Sequence, residues 1–173
     1  QRQVLLRGAR DSKSDVDRKA LTRHAQNLAA SQRALPAAAD LDAVRGVEGE
    51  AARGYFAALN HLVRTDLRDR FALDGRSRRP PRDRMNALLS FFYSMWTNDC
   101  RGACEAAGLD PQVGFLHALR PGRAALALDL VEEFRPFADR LALTLVNRGQ
   151  IGERDFVERE GGERSVARSR RVV

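Results

Sequence analysis

The stretch from Asp83 to Gly108 limits the possible folds more than any other. Its centre, Ala87-Leu88-Leu89-Ser90-Phe91-Phe92-Tyr93-Ser94-Met95-Trp96, is apolar nearly all round, which predicts a helix buried on most of its circumference. Asp83 supplies its N-cap and Gly108 its end. Such a helix needs apolar-striped neighbours, and the remaining sequence provides them. Ser14, with Asp17 three residues on, marks a helix that runs to about Leu35, where Pro36 stops it. Asp40 caps a longer one, in which Leu41, Val44, Ala51, Ala52, Tyr55, Leu59 and Leu62 keep the three-four spacing. From Ala124 to Val146 the period-two run Leu126, Leu128, Leu130 raises a strand. Length and the continuation through Val131, Phe134, Ala138, Leu141 and Leu145 favour a helix, which Pro136 must kink or divide. Asp110-Pro111 predicts a short helix toward His117, followed by a Pro121-Gly122 turn. Nothing reads clearly as a sheet, so the expected class is all-α.

A length of 173 residues fits one domain with its own core. Residues 1–158 are read as that helical domain, and 1–13 as the remnant of an interdomain linker. The chain opens on Gln1 and runs straight into Val4, Leu5 and Leu6, as though cut from something longer. Residues 159–173, rich in arginine and glycine without apolar period, are expected to form a mobile basic tail. Between Phe71 and Asp83 a Pro-Pro loop carries Arg76, Arg78, Arg79 and Arg82.

The 30 basic residues against 23 acidic ones give a net charge of +7, and only Lys13 and Lys19 are lysines. Arginine suits bidentate phosphate contact, which makes nucleic acid a plausible partner, although a GC-rich genome also favours arginine. Cys100 and Cys104 imply no disulfide framework. No apolar run approaches the roughly 20 residues of a membrane span, and no signal peptide is visible, so the cytoplasm is the expected location.

One carboxylate breaks the pattern. Glu48 falls one turn after Val44 and one before Ala52, inside the apolar stripe, whereas Glu50 points away. An acid there must be paired, hydrogen-bonded or bound to a cation. The plainer alternative is a salt bridge to one of the many arginines. Gly46 and Gly49 flank it at a helix-propensity cost of about 1 kcal/mol each, which suggests a close approach to the backbone. Asp129 and Glu132, three apart, form a second acidic pair in an apolar setting, although the first turn of a helix also attracts acids. His117 precedes a tight turn 15 residues before Glu132, while His24 and His61 read as surface or satisfied residues. One imidazole with two or three carboxylates makes a mixed nitrogen and oxygen site suited to Mg²⁺ or Mn²⁺. A zinc alternative through Cys100, Cys104 and His117 ranks below it. There is no glycine-rich phosphate loop, catalytic serine triad or nucleophile elbow.

Four strings resemble, in order and spacing, the CRISPR-associated protein one family. They are Arg45-Gly46-Val47-Glu48-Gly49-Glu50-Ala51-Ala52; Asn86-Ala87-Leu88-Leu89-Ser90-Phe91; Gly108-Leu109-Asp110-Pro111 with Gly114-Phe115-Leu116-His117; and Leu126 through Glu132-Glu133-Phe134-Arg135-Pro136. The resemblance runs from about Leu41 to Phe156. It implies a helical catalytic domain of a divalent-metal-dependent DNA integrase or endonuclease of CRISPR spacer acquisition. Such an enzyme joins a DNA 3′ hydroxyl to a phosphodiester at a repeat by transesterification. The family's metal ligands fall on Glu48, His117 and Glu132, with Asp129 next to them and Arg135 at a position that faces DNA in relatives. Arg76, Arg78, Arg79 and Arg82 are further candidates for backbone contact. The family's N-terminal β-rich dimerisation domain is expected to be missing, and a small ferredoxin-like companion protein is an implied partner. A non-enzymatic helical DNA-binding module and a generic metal-dependent nuclease are the other two readings.

Overall fold

The computed structural model describes residues 1–158 and 164–166. Six α-helices account for most of them: α1 (Arg2–Asp11), α2 (Asp15–Ala34), α3 (Leu41–Leu59), α4 (Arg68–Phe71), α5 (Arg84–Ala106) and α6 (Ala125–Asn147). A hairpin of β1 (Phe156–Glu158) and β2 (Arg164–Val166) follows, antiparallel, with Phe156 opposite Val166 and Glu158 opposite Arg164. Three helix starts follow from local side-chain chemistry. Ser14 Oγ accepts from Asp17 N at 3.3 Å, Asp40 Oδ1 from Ala43 N at 2.8 Å, and Asp83 Oδ1 from Asn86 N at 2.7 Å. Each cap satisfies an amide that the helix leaves without a partner.

The predicted central helix is α5, which packs along α6 and against β2. Its Met85, Leu88 and Leu89 are fully buried, together with Leu5 and Leu21 of α1 and α2, Tyr55 and Leu59 of α3, and Ala142 and Val146 of α6. Each large aliphatic side chain so buried contributes roughly 1.5–3 kcal/mol relative to exposure. Cys100 and Cys104 are buried and free. Cys100 packs with Ala127 and Val131 in a second small cluster, as a core residue. No helix among the described residues is long and apolar enough to cross a membrane.

Several expectations are corrected. The first 13 residues are not linker: α1 buries Val4, Leu5 and Ala9 in the main core. Pro136 does not divide α6, which is one continuous helix. Asp110 and Pro111 start no helix; the segment to His117 is a series of turns, in which Asp110 Oδ1 accepts from Gln112 N at 2.8 Å. A small sheet exists where none was expected. Its second strand lies inside the predicted mobile tail, where Arg164 N donates to Pro81 O at 2.9 Å and its guanidinium to Arg82 O at 2.8 Å. The rest of that tail, 159–163 and 167–173, lies outside the described residues.

Candidate functional site

Asp129, one turn into α6, organises the loop before that helix. Its Oδ2 accepts from Phe115 N at 2.7 Å and Leu116 N at 3.0 Å, and its Oδ1 accepts from His117 N at 3.0 Å. The same Oδ1 lies 2.6 Å from His117 Nδ1. Burial works against charge on Asp129, but the bonds from Leu116, the His117 ring and Phe115 outweigh it and hold the carboxyl below its ordinary range. An ionised Asp129 needs the shared proton on Nδ1, so Nε2 is the free nitrogen of the ring. That is the arrangement in which a carboxylate orients a metal-binding imidazole. Gly114 makes room for it: a Cβ there would stand 2.6 Å from Asp129 Oδ2 and 2.7 Å from the carbonyl carbon of Ala125.

Glu132 sits three residues further along α6. Its Oε2 pairs with Arg135 Nη1 at 2.8 Å, while Oε1 is buried with no hydrogen-bond partner. Burial pushes the Glu132 carboxyl up to about 7, with Arg135 opposing the shift and Glu48 adding to it. Glu48 itself is half-buried on α3. The ion pairs of that helix join Arg45 to Asp42 and Arg53 to Glu50, so the arginine partner of the plainer alternative is not found among the described residues. Nothing comes within 4 Å of a Cβ placed at Gly46 or Gly49, so the expected close approach to that backbone is absent among the described residues.

Arg45, which the sequence did not single out, ties α3 to the histidine loop that Asp129 ties to α6. Its Nε and Nη2 both donate to Leu116 O, at 3.0 and 2.7 Å. It precedes Glu48 by three residues and so shares its side of α3. Glu48, Glu132 and the aspartate-held His117 are thereby brought to one region. They do not form a closed cluster: among the described residues no three histidine, cysteine, aspartate or glutamate side chains are gathered as a metal site. The donor set nevertheless fits a hard divalent cation, since it offers carboxylates, an imidazole nitrogen and one buried oxygen without a partner.

The arginine candidates separate. Arg78, Arg79 and Arg82 are exposed on the Pro-Pro loop. Arg76 turns inward: it donates to Asn86 Oδ1 at 2.7 Å and Ser90 Oγ at 3.0 Å and lies over the rings of Phe56 and Tyr93. Burial lowers its pKa to about 10. Arg135 is 8% exposed and lies over Tyr93, as the counterion of Glu132 rather than a surface cation. Beneath them Asp139, fully buried, accepts from Tyr55 Oη at 2.7 Å and Tyr93 Oη at 2.5 Å. Sequence reasoning missed Asp139, although it falls beside Ala138, Ala142 and Leu143 in the apolar stripe, the same signal that exposed Glu48.

An aspartate-oriented histidine and facing glutamates on an all-helical frame define a helical protein with an acid and histidine site beside a basic loop. The profile of the family described as CRISPR associated protein Cas1 matches residues 1–172, and the chain belongs to that family. It is 60% identical over 162 residues to a protein of Moorella thermoacetica named CRISPR-associated endonuclease Cas1 1, covering 93% of this chain and 47% of that protein. It is 47% identical to a CRISPR-associated endonuclease Cas1 of Leptospira interrogans, covering 92% of this chain and 63% of the other. The chain thus spans about half to two thirds of these relatives. Among solved structures, a Cas1 protein from Thermotoga maritima superposes with a TM-score of 0.76 at 29% identity, over 96% of this chain and 52% of that one. A casposase bound to integration product gives 0.76 at 25% identity, over 96% and 44%.

Proposed function

We propose that this chain is the helical catalytic part of a divalent-metal-dependent DNA integrase or endonuclease of CRISPR spacer acquisition. The observation that carries the reading is the buried, unpartnered Oε1 of Glu132 close to Glu48 and to a histidine whose Nε2 is left free by Asp129. Membership of the Cas1 family and likeness to a casposase bound to integration product support it. Glu48, His117 and Glu132 would hold Mg²⁺ or Mn²⁺, which when bound supplies Lewis-acid stabilisation of charge on a phosphodiester.

The protein's own residues do the positioning. Asp129 fixes the His117 ring, Arg45 fixes the loop that carries it, and Arg135 balances the Glu132 charge. The exposed Arg78, Arg79 and Arg82 contact the DNA backbone through bidentate phosphate bonds. In the reaction a DNA 3′ oxygen forms a new P–O bond at the repeat and the former 3′ oxygen leaves with a proton, so the number of phosphodiesters is conserved. Water in place of the hydroxyl gives endonuclease cleavage. Partners on this reading are captured DNA ends, the CRISPR repeat, a second copy joined through the family's N-terminal domain, and a small ferredoxin-like companion. Likeness to the Cas6-RT-Cas1–Cas2 complex, with a TM-score of 0.81 at 31% identity over 97% of this chain and 18% of that one, supports a further CRISPR-associated protein as partner.

Calorimetric titration with Mn²⁺ at pH 7 tests the site. The parent is expected to bind stoichiometrically, and Glu48→Ala, His117→Ala and Glu132→Ala each to lose that binding with helical circular dichroism intact. Full Mn²⁺ binding by any two of the three overturns the assignment. A non-enzymatic DNA-binding module shows no stoichiometric binding at all. Preferential processing of branched, integration-intermediate DNA over plain duplex separates an integrase from a generic nuclease.

A further inference from the structure

The side chain that pairs with Glu132 makes few hydrogen bonds of its own. Arg135 Nη1 donates to Glu132 Oε2 at 2.8 Å, the one ion pair of that guanidinium among the described residues. Its Nε is buried and has no acceptor. A pair three residues apart on one helix is loose by itself, because two long side chains keep several rotatable bonds each. Glu132 therefore holds a fixed direction only if something else fixes Arg135.

An aromatic ring on the neighbouring helix does so. The guanidinium carbon of Arg135 stands 5.3 Å from the centre of the Tyr93 ring, and both residues are buried, so water screens the contact little. Arg76 stands at the same distance from that ring and is fixed there by its bonds to Asn86 Oδ1 and Ser90 Oγ. Two guanidiniums on one ring repel. Arg135 consequently settles where a carboxylate offsets that repulsion, at Glu132. The ring is held from its far end: Tyr93 Oη donates to Asp139 Oδ1 at 2.5 Å, and Asp139 is fully buried with its other oxygen taken by Tyr55 Oη. A phenol anchored at its tip keeps its χ1 angle and cannot swing its face away from Arg135.

We infer that Tyr93, anchored by Asp139, is a positioning residue for Glu132. Acting through Arg135, it commits Oε2 to the ion pair and leaves the buried, unpartnered Oε1 as the oxygen available to a divalent cation. The inference rests on the proposed role of Glu132 as a metal ligand, but the hold of Tyr93 on Arg135 exists without metal and is measurable without it.

Three variants test it, each read by Mn²⁺ calorimetry and, in metal-free protein, by the ¹⁵N–¹H resonance of the Arg135 Nε–H, assigned by its loss in Arg135→Lys. Tyr93→Leu removes the ring and is expected to weaken Mn²⁺ about tenfold or more. Tyr93→Phe keeps the ring and removes its anchor, with an expected loss of about threefold. Tyr55→Phe removes the other phenol bond to Asp139 without touching the ring under Arg135, and is expected to bind Mn²⁺ as the parent does. The Arg135 resonance is expected to move in both Tyr93 variants and to stay in Tyr55→Phe. Equal weakening in Tyr93→Phe and Tyr55→Phe is the mark of a merely structural role and overturns the inference. Parental Mn²⁺ affinity in both Tyr93 variants, or an unmoved Arg135 resonance in both, overturns it as well. A parent that binds no Mn²⁺ sinks the metal reading, and the resonance still decides whether Tyr93 fixes Arg135. Circular dichroism checks the fold; where Tyr93→Leu does not fold, the two phenylalanine variants decide.

Discussion

At position 114 a methyl group would lie 2.6 Å from Asp129 Oδ2 and 2.7 Å from backbone of Ala125. The second neighbour is main chain at the start of α6 and cannot swing aside as a flexible side chain does. Gly114→Ala is therefore expected to cost about 1–3 kcal/mol and to displace the histidine loop. Thermal unfolding should fall by roughly 2–4 °C per kcal/mol for a chain of this size, and Mn²⁺ binding should weaken with it. A variant with parental melting and binding would show that the loop tolerates a different path. Asp17 gives a second test. Its burial disfavours the charge, but bonds from Arg68 and His61 win and lower its pKa below the ordinary 3.8. A lowered carboxylate pKa contributes stability that is present above the unfolded value and is lost as pH falls toward the folded one. Asp17→Asn should thus be less stable than the parent by about 1–2 kcal/mol at pH 7, and the gap should narrow below pH 3.8. Urea unfolding at pH 7 and pH 3 checks the sign; a gap that widens in acid is inconsistent with the pairing.

Between elements, Asp129 carries the connection from α6 to the loop 114–117. Asp129→Asn removes an acceptor shared by His117 N and Nδ1 and places an amide where three backbone donors converge. The expected result is a loss of about 10–100-fold in Mn²⁺ affinity, with the helices intact by circular dichroism. Unchanged affinity would remove Asp129 from the site. The elements that the sequence made legible are those with local signals. Ser14, Asp40 and Asp83 announce α2, α3 and α5 because a cap lies within three residues of the amide it satisfies. Helix α1 had no such marker: Gln1 makes no side-chain cap, and three buried residues in ten are too few for a period to be read. Asp110-Pro111 carried a helix-start signal, but the next residues turn to deliver Phe115, Leu116 and His117 to Asp129, a bond partner 12 to 14 residues away that no local rule reports. The inward position of Glu48 was readable from phase. The inward turn of Arg76 was not, since a loop arginine gives no phase and its partners Asn86 and Ser90 lie on the following helix.

At the scale of the molecule, three helices that carry or flank the site meet on one buried carboxylate. Asp139 of α6 accepts from Tyr55 of α3 and Tyr93 of α5, the guanidiniums of Arg76 and Arg135 lie over the Tyr93 ring, and Arg135 in turn pairs with Glu132. Burial raises the Asp139 carboxyl above its ordinary value, and the bonds from Tyr93 and Tyr55, with the nearby charge of Arg135, oppose that shift without cancelling it. Each donor alone is worth about 1 kcal/mol when one remains. Tyr55→Phe and Tyr93→Phe should each cost about that much. Together they leave a fully buried acid with no donor, and the double variant should exceed the sum of the two by about 1 kcal/mol or more. Because the contacts join helices rather than lie within one, amide exchange should quicken in α3, α5 and α6 together. Strict additivity, or faster exchange in a single helix, would mean that the helices are held by apolar packing alone and that Asp139 couples nothing to Glu132.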